Sequence, residues 1–180
     1  MDGEILRLAE RAPSAPAPPT AYSDTELVDF YREQRLNLVR LAVLLVGDGE
    51  TAEDIVQDVF IRLHKVWRPQ VTTLAYVRTA VLNAARSVLR RRAMMLRRTA
   101  WAADWVDSAE STALVGEARR EVLAALGRLP RRQRETLVLR YYLDLPDAEI
   151  AEIMRVGQST VRSTAARALG RLSRELGETI

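Results

Sequence analysis

Apolar residues recur every three to four positions through most of this chain. That is the period of one helix face and not of a strand. Leu27, Phe30/Tyr31, Leu38, Leu41/Ala42 and Leu45 mark a first helix, which Gly47-Asp48-Gly49 ends. Ser23-Asp24-Thr25-Glu26 offers a capping box at its start. Ala52, Ile55/Val56, Val59, Leu63 and Val66 mark a second helix, stopped by Pro69. A third runs from about Thr73 to Arg92, with Val77, Ala80/Val81, Ala84 and Val88 on its apolar face. Helical patterning returns at Glu117 with Val122, Leu123 and Leu126 and breaks at Leu129-Pro130, where Pro130 opens a helix carrying Leu137, Val138, Tyr141 and Tyr142. After the turn at Asp144-Leu145-Pro146, two short helices are predicted over about 147–154 and 158–174. Amphipathic helices bury their stripes only against one another, so the fold class is all-α.

The charges are sorted along the chain. The formal net charge is only +3, yet residues 59–103 hold ten bases and no acid, whereas residues 23–58 hold nine acids against three bases. Residues 104–116 add three acids, at 104, 107 and 110, and no base, and residues 117–180 hold nine acids and twelve bases. Such segregation implies separate surfaces with separate partners. The basic block reads as a footprint for nucleic acid or an anionic membrane, and the acidic block as a face for a basic protein.

Other classes are excluded. No apolar run exceeds the six residues Leu41–Val46, far short of the roughly 18 of a membrane span. There is no Cys and one His, which removes disulfides, thiolate metal sites and any two-histidine site. The N-terminus lacks a signal layout, and the composition fits a cytoplasmic protein. Residues 12–20 contain four prolines and no charge and read as a disordered leader; Met1–Arg11 offers at most a short amphipathic helix. Residues 93–116 lose the clean period and read as a linker, in part helical.

Three polar constellations carry the chemistry. Residues 147–169 suit a helix-turn-helix: Asp147 as cap, Ile150 and Met154 inward, small Ala151 where helices cross, a bend at Val156-Gly157, and Val161 packing back. The second of these helices would expose Gln158, Ser159, Arg162, Ser163 and Arg167; Arg162 can approach base edges or phosphate, and the helix N-terminus favours phosphate. An ordinary helical hairpin with solvated arginines fits the bare spacing equally well. On the third helix Thr79, Asn83, Arg86 and Arg90 form one stripe, with Asn83 suited to reading a base and Arg86 and Arg90–Arg92 to holding phosphates. Trp67 and Tyr76 flank its start and suit either base stacking or the core. On the second helix Glu53, Asp54, Gln57 and Asp58 share a face. Paired carboxylates also serve acid–base catalysis. Here no nucleophile, metal ligand or Gly-rich loop accompanies them, so docking of a basic partner is the better reading, and no catalytic site, cofactor or metal is expected. His64, one turn on, reads as a surface histidine.

Together these stretches resemble the extracytoplasmic-function (ECF) sigma factors of bacterial RNA polymerase, in an actinobacterial style. GDGETAEDIVQDVFIRLHKVW (47–67), LAYVRTAVLNAARSVLRRR (74–92) and LPRRQRETLVLRYYLDLPDAEIAEIMRVGQSTVRSTAARALGRL (129–172) carry the resemblance, in family order and over about half the chain. It implies two small helical domains: sigma domain two over 23–92 and sigma domain four over 117–180, joined by an extended linker at 93–116 that threads the polymerase cleft. By the same resemblance, Asp54, Gln57 and Asp58 dock on the beta-prime clamp helices. Trp67, Tyr76, Arg78, Asn83, Arg86 and Arg90 open and read the −10 element. Domain four meets the beta flap and reads duplex −35 DNA through Gln158, Ser159, Thr160, Arg162, Ser163 and Arg167. Anti-sigma factors are common further partners in the family.

Departures are visible. Arg155 stands where the motif often has a turn glycine, and Gly157 replaces the usual capping Ser, with Ser159 a possible substitute. The loop around Pro69–Thr73 is short, and the Pro-rich leader is outside the family core. The alternatives are a stand-alone dimeric helix-turn-helix regulator, which would bind a palindrome without polymerase, and a helical adaptor that binds only protein.

Overall fold

A computed structural model describes residues 24–68, 72–99 and 117–177. Their regular structure is helical throughout: α1 (Asp24–Val46), α2 (Gly49–His64), α3 (Leu74–Thr99), α4 (Glu117–Arg128), α5 (Arg131–Leu137), a π-helical turn (Val138–Tyr142), α6 (Asp147–Met154) and α7 (Gln158–Glu175). The expected capping box starts at Ser23, and the leader and most of the linker fall at 1–22 and 100–116; all of these lie outside the described residues.

The first three helices form one bundle. Leu38, Leu41, Ala42 and Leu45 of α1 meet Ala52, Ile55, Val56 and Val59 of α2 and Val77, Val81, Leu82 and Ala85 of α3, all buried. The α2 start is set by Asp48, whose Oδ1 accepts from the Thr51 backbone N–H at 2.8 Å, satisfying one of the orphan donors of a helix N-terminus. Thr73 does the same for α3, accepting from the Tyr76 N–H at 3.2 Å. α3 runs to Thr99, seven residues beyond the point where its apolar period stops. Arg, Met and Leu are strong helix formers and carry it on, with Ala93, Met94 and Met95 exposed.

The C-terminal helices form a second unit around Leu126, Leu129, Leu137 and Ala168. The helix expected over 131–142 is interrupted: its last turn is π, closed by the Leu143 N–H on the Val138 carbonyl at 3.2 Å. The two units are packed together. Val138, Leu139, Ile150, Ala151 and Val161 belong to the same continuous core as α1–α3, and Leu44 of α1 packs against the second cluster.

The helix-turn-helix packs as its sequence implies. Ile150 and Val161 are fully buried, each worth about 1.5–3 kcal/mol, and Ala151 lies buried beside them at the crossing. Met154 is only half-buried, its Sδ accepting from the Thr136 hydroxyl at 3.4 Å. Two expectations change. Asp147 does not cap α6: Pro146 is the N-cap, no side-chain cap bond forms, and the Asp147 carboxylate pairs with arginines instead. Ser159 does not cap α7 either; the N-cap is Gly157, without a side-chain bond.

Arg155 closes α6 in the left-handed region at φ 54°, with the Val156 N–H reaching back to the Ala151 carbonyl at 3.0 Å. That is a glycine position occupied by a side chain. Arg155→Gly should therefore stabilise the chain by roughly 0.5–1 kcal/mol, the left-handed penalty less the entropy that glycine regains on unfolding. Urea denaturation checks this: the midpoint rises with no change in slope.

Candidate functional site

Three faces collect the polar residues. The first is on α2. Ile55, Val56 and Val59 turn inward, which leaves Glu53, Asp54, Gln57 and Asp58 exposed on the opposite side. Glu53 pairs with Arg35 of α1 at 3.1 Å and Asp58 with Arg62 at 3.5 Å, both in solvent, where such pairs contribute little. Ile61 continues the stripe seven residues after Asp54 and is 62% exposed. Sequence reasoning missed it, although its spacing of two helical turns was available. An exposed isoleucine one turn beyond Asp58 on the acidic face suits a basic partner that also offers an apolar spot.

The second face is on α3. Tyr76 and Asn83 are exposed and line a groove of about 340 Å³ whose other wall includes Ile55, Asp58 and Val59 of α2. Arg90 is exposed near them and donates to the Ser87 hydroxyl at 3.0 Å. Two of the expected residues stand apart. Trp67 is half-buried, its ring 5.3 Å from that of Phe30, which in turn neighbours Phe60. Arg78 lies five residues before Asn83, hence roughly 140° round the helix from it.

Arg86 is held in place. Its Nη2 pairs with Oε1 of Glu135 on α5 and donates to the Ile153 carbonyl of α6 at 3.3 Å, while Nη1 donates to Oδ1 of Asn83 at 3.1 Å. Glu135 is only 3% exposed. A carboxylate so far from water needs a close positive partner, and Arg86 supplies it from across the contact between the two units. The tie is seconded by the Tyr142 hydroxyl, which donates to the Asn37 carbonyl of α1 at 3.1 Å. Arg92, also read as a phosphate holder, grips the α1–α2 corner: it donates to the Val46 carbonyl at 3.3 Å and to Asp48 Oδ2 at 2.9 Å. Burial works to raise the Asp48 pKa, but the Thr51 hydrogen bonds and the Arg92 guanidinium outweigh it and hold the carboxyl below its ordinary value.

The third face is on α7. Val161, Ala165 and Ala168 are buried, so Gln158, Ser159, Thr160, Arg162, Ser163 and Arg167 are left exposed together. Ser163 Oγ donates to the Thr160 carbonyl at 3.2 Å and Arg167 Nε to the Ser163 carbonyl at 3.1 Å. The α7 N-terminus adds its unpaired N–H groups and positive dipole end to this face.

Comparison with known proteins decides what such a molecule is. The family model described as Sigma-70 region 2 matches residues 30–94, and that described as Sigma-70, region 4 matches residues 119–172. The ECF RNA polymerase sigma factor SigM of Mycobacterium tuberculosis is 33% identical over 151 residues, covering 82% of this chain and 76% of SigM.

The chain belongs to the ECF sigma factors.

The RNA polymerase sigma-E factor of Streptomyces avermitilis is 30% identical over 156 residues, covering 84% of this chain and 85% of that protein. Among solved structures, the sigma factor RpoE of Bartonella quintana, in complex with the anti-sigma factor NepR, superposes with a TM-score of 0.67 at 22% identity, over 83% of this chain and 97% of that one. CnrH, in complex with the cytosolic domain of CnrY, gives 0.62 at 19% identity, over 87% and 90%. These two likenesses concern the fold. Family membership carries the role of an RNA polymerase sigma factor in promoter-directed transcription, that of an initiation factor rather than an enzyme. Among the described residues no helix is long and apolar enough to cross a membrane, and no group of three or more His, Asp or Glu side chains could hold a metal ion.

Two predictions test the ties on α3. Glu135→Gln keeps the shape and removes the charge, so it should cost about 1.5–3 kcal/mol. Amide exchange should then quicken first at the contacts between α3 and α5. Asp48→Asn keeps the α2 cap and removes the pairing with Arg92. A depressed folded-state pKa means that the stability contribution is complete above the unfolded value of about 3.9 and fades as pH falls through the folded one. The stability gap between native chain and variant should be constant above about pH 5 and close below about pH 4 in denaturation curves taken across pH.

Proposed function

We propose that this sigma factor docks on core RNA polymerase through the acidic α2 face, reads duplex −35 DNA with α7, and captures an unpaired −10 base with α3. The observation that carries the reading is the exposed face of α7. Its buried stripe locks the helix onto the rest of the helix-turn-helix, and six polar side chains, two of them arginines, remain at the surface on the side of its N-terminus. That is what a helix entering a major groove needs. On α2, Asp54, Gln57 and Asp58 with Ile61 supply the face for the beta-prime clamp helices. On α3, Asn83 and Tyr76 border the groove that suits a splayed base, and Arg90 the adjoining phosphate. The energy of base capture offsets unstacking of a few kcal/mol.

Arg86 enters this scheme only after a change. Its guanidinium serves Glu135 in the structure, so it reaches DNA when domains two and four part and a phosphate replaces that carboxylate. Residues 93–116 are the linker through the polymerase cleft in this reading, domain four meets the beta flap, and an anti-sigma factor is a further partner. The chain acts in the cytoplasm, with the polymerase.

Run-off transcription with purified core enzyme tests the function. The chain should direct transcripts from a discrete set of promoters in a genomic promoter library; no promoter-dependent transcript overturns the reading. Reversing Asp54 and Asp58 to Lys should lower affinity for core enzyme about tenfold or more, since like charges then face each other across the contact. Asn83→Ala should impair opening or −10 choice with core binding intact. Unchanged core affinity in the charge-reversed chain refutes the assignment of the α2 face.

A further inference from the structure

The Asp147 carboxylate lies on none of the three faces just described, yet it touches one of them. As the first residue of α6 it is where a helix usually spends an acid on its own backbone, and it makes no such bond. Its Oδ1 instead pairs with Nη2 of Arg140, on the π turn, and its Oδ2 stands 3.6 Å from Nε of Arg162, on α7. One carboxylate thus links the segment before the helix-turn-helix to both helices of the motif. Asp147 and Arg140 are about three-quarters buried, whereas the Arg162 side chain is 66% exposed. Arg162 is approached on its Nε edge, and both terminal nitrogens are without a partner among the described residues.

This arrangement bears on how an arginine discriminates. A free guanidinium on a DNA-facing helix can read guanine bidentately, or it can settle on any phosphate within reach. The second use is independent of sequence and far more abundant along a duplex. A carboxylate beside Nε opposes that second use in two ways. Its charge, 3.6 Å from Nε, draws that edge of the guanidinium toward α6 and biases the two-nitrogen edge to face away from it. It also places a negative charge where a phosphate would have to approach.

We propose that Asp147 is the positioning residue for Arg162, and that it sets the base preference of α7 by holding that guanidinium off the phosphates. The inference rests on the reading of α7 as the −35 helix and adds to it a residue from outside that helix.

The test uses holoenzyme assembled from core polymerase and the full chain. The probes are a library of promoter duplexes randomised only in the −35 element, and one duplex with that element scrambled, each at several salt concentrations. Arg162→Ala should erase the preference at one base pair. Asp147→Asn should weaken the preference at that same base pair about tenfold, bind the scrambled duplex at least as well as the native chain, and steepen the salt dependence by about one phosphate contact. The double variant should lose no more preference than Arg162→Ala alone. Asp147→Glu, which retains the charge, should recover most of the preference. Arg140→Gln removes the other partner and should leave the preference in place. If it relaxes the preference as far as Asp147→Asn does, the carboxylate acts through the architecture of the motif and the proposal fails. If Arg162→Ala erases the preference while Asp147→Asn changes neither preference nor salt slope, the proposal fails and the reading of α7 stands. If Arg162→Ala alters no position, Arg162 is not a base reader and both fall.

Discussion

A carboxylate with almost no access to water must be neutralised by something within reach, and for Glu135 that something comes from the other half of the chain. Arg86 meets it across the contact between α3 and α5 and simultaneously occupies the Ile153 carbonyl and Asn83. The arrangement of the two helical units depends on this pair more than on any one apolar contact. Hydrophobic contact between helices tolerates sliding, whereas a buried ion pair is strongly penalised if its partners separate without replacement. The apolar continuity from α1–α3 into Leu139, Ile150 and Val161 supplies attraction, and Glu135–Arg86 supplies register.

The same pair links the resting arrangement to the work on DNA. A phosphate and a carboxylate ask the same thing of a guanidinium, so an arginine that serves one inside the protein is available to the other only by exchange. Core polymerase, in the proposed function, holds the two domains apart at promoter spacing. The cost of removing Arg86 from Glu135 is then met by hydration of the carboxylate and by the new phosphate contact. Charge that looked excessive in a forty-five-residue stretch without an acid is therefore divided between structure and ligand: Arg86 and Arg92 are engaged inside the protein, while Arg90 faces solvent.

How much could be read from the residues alone depends on which forces are local. Burial of Val77, Val81, Ile55 and Val161 is a property of helical period, and the spacing predicts it. The strain expected at Arg155 is likewise local, since the bend between α6 and α7 demands a left-handed residue whatever surrounds it. The fate of a charged side chain is different, because its partner can be anywhere. Asp147 looks like a cap until Arg140 and Arg162 are folded beside it. Glu135 sits in a run of arginines with nothing local to bury it, and its position on α5 beside Arg86 of α3 does so. Arg92 reads as a phosphate contact because the corner it grips lies more than forty residues earlier. The last seven residues of α3 escape a reading based on periodicity, since they are helical by propensity without an apolar stripe. Ile61 lies two helical turns after Asp54, a spacing that the residues alone display.

The grip of Arg92 on the α1–α2 corner has a geometric meaning for the chain on its C-terminal side. At that residue α3 is tied to the bundle; beyond it the helix continues for seven residues, roughly 10 Å. An α-helix turns about 100° per residue, so the length of this overhang acts as an angular setting as well as a distance. One residue more or less after Arg92 would leave the Arg92 contacts in place and turn the end of the helix by about 100°. The stretch from Arg92 to Thr99 therefore sets a direction as well as a distance.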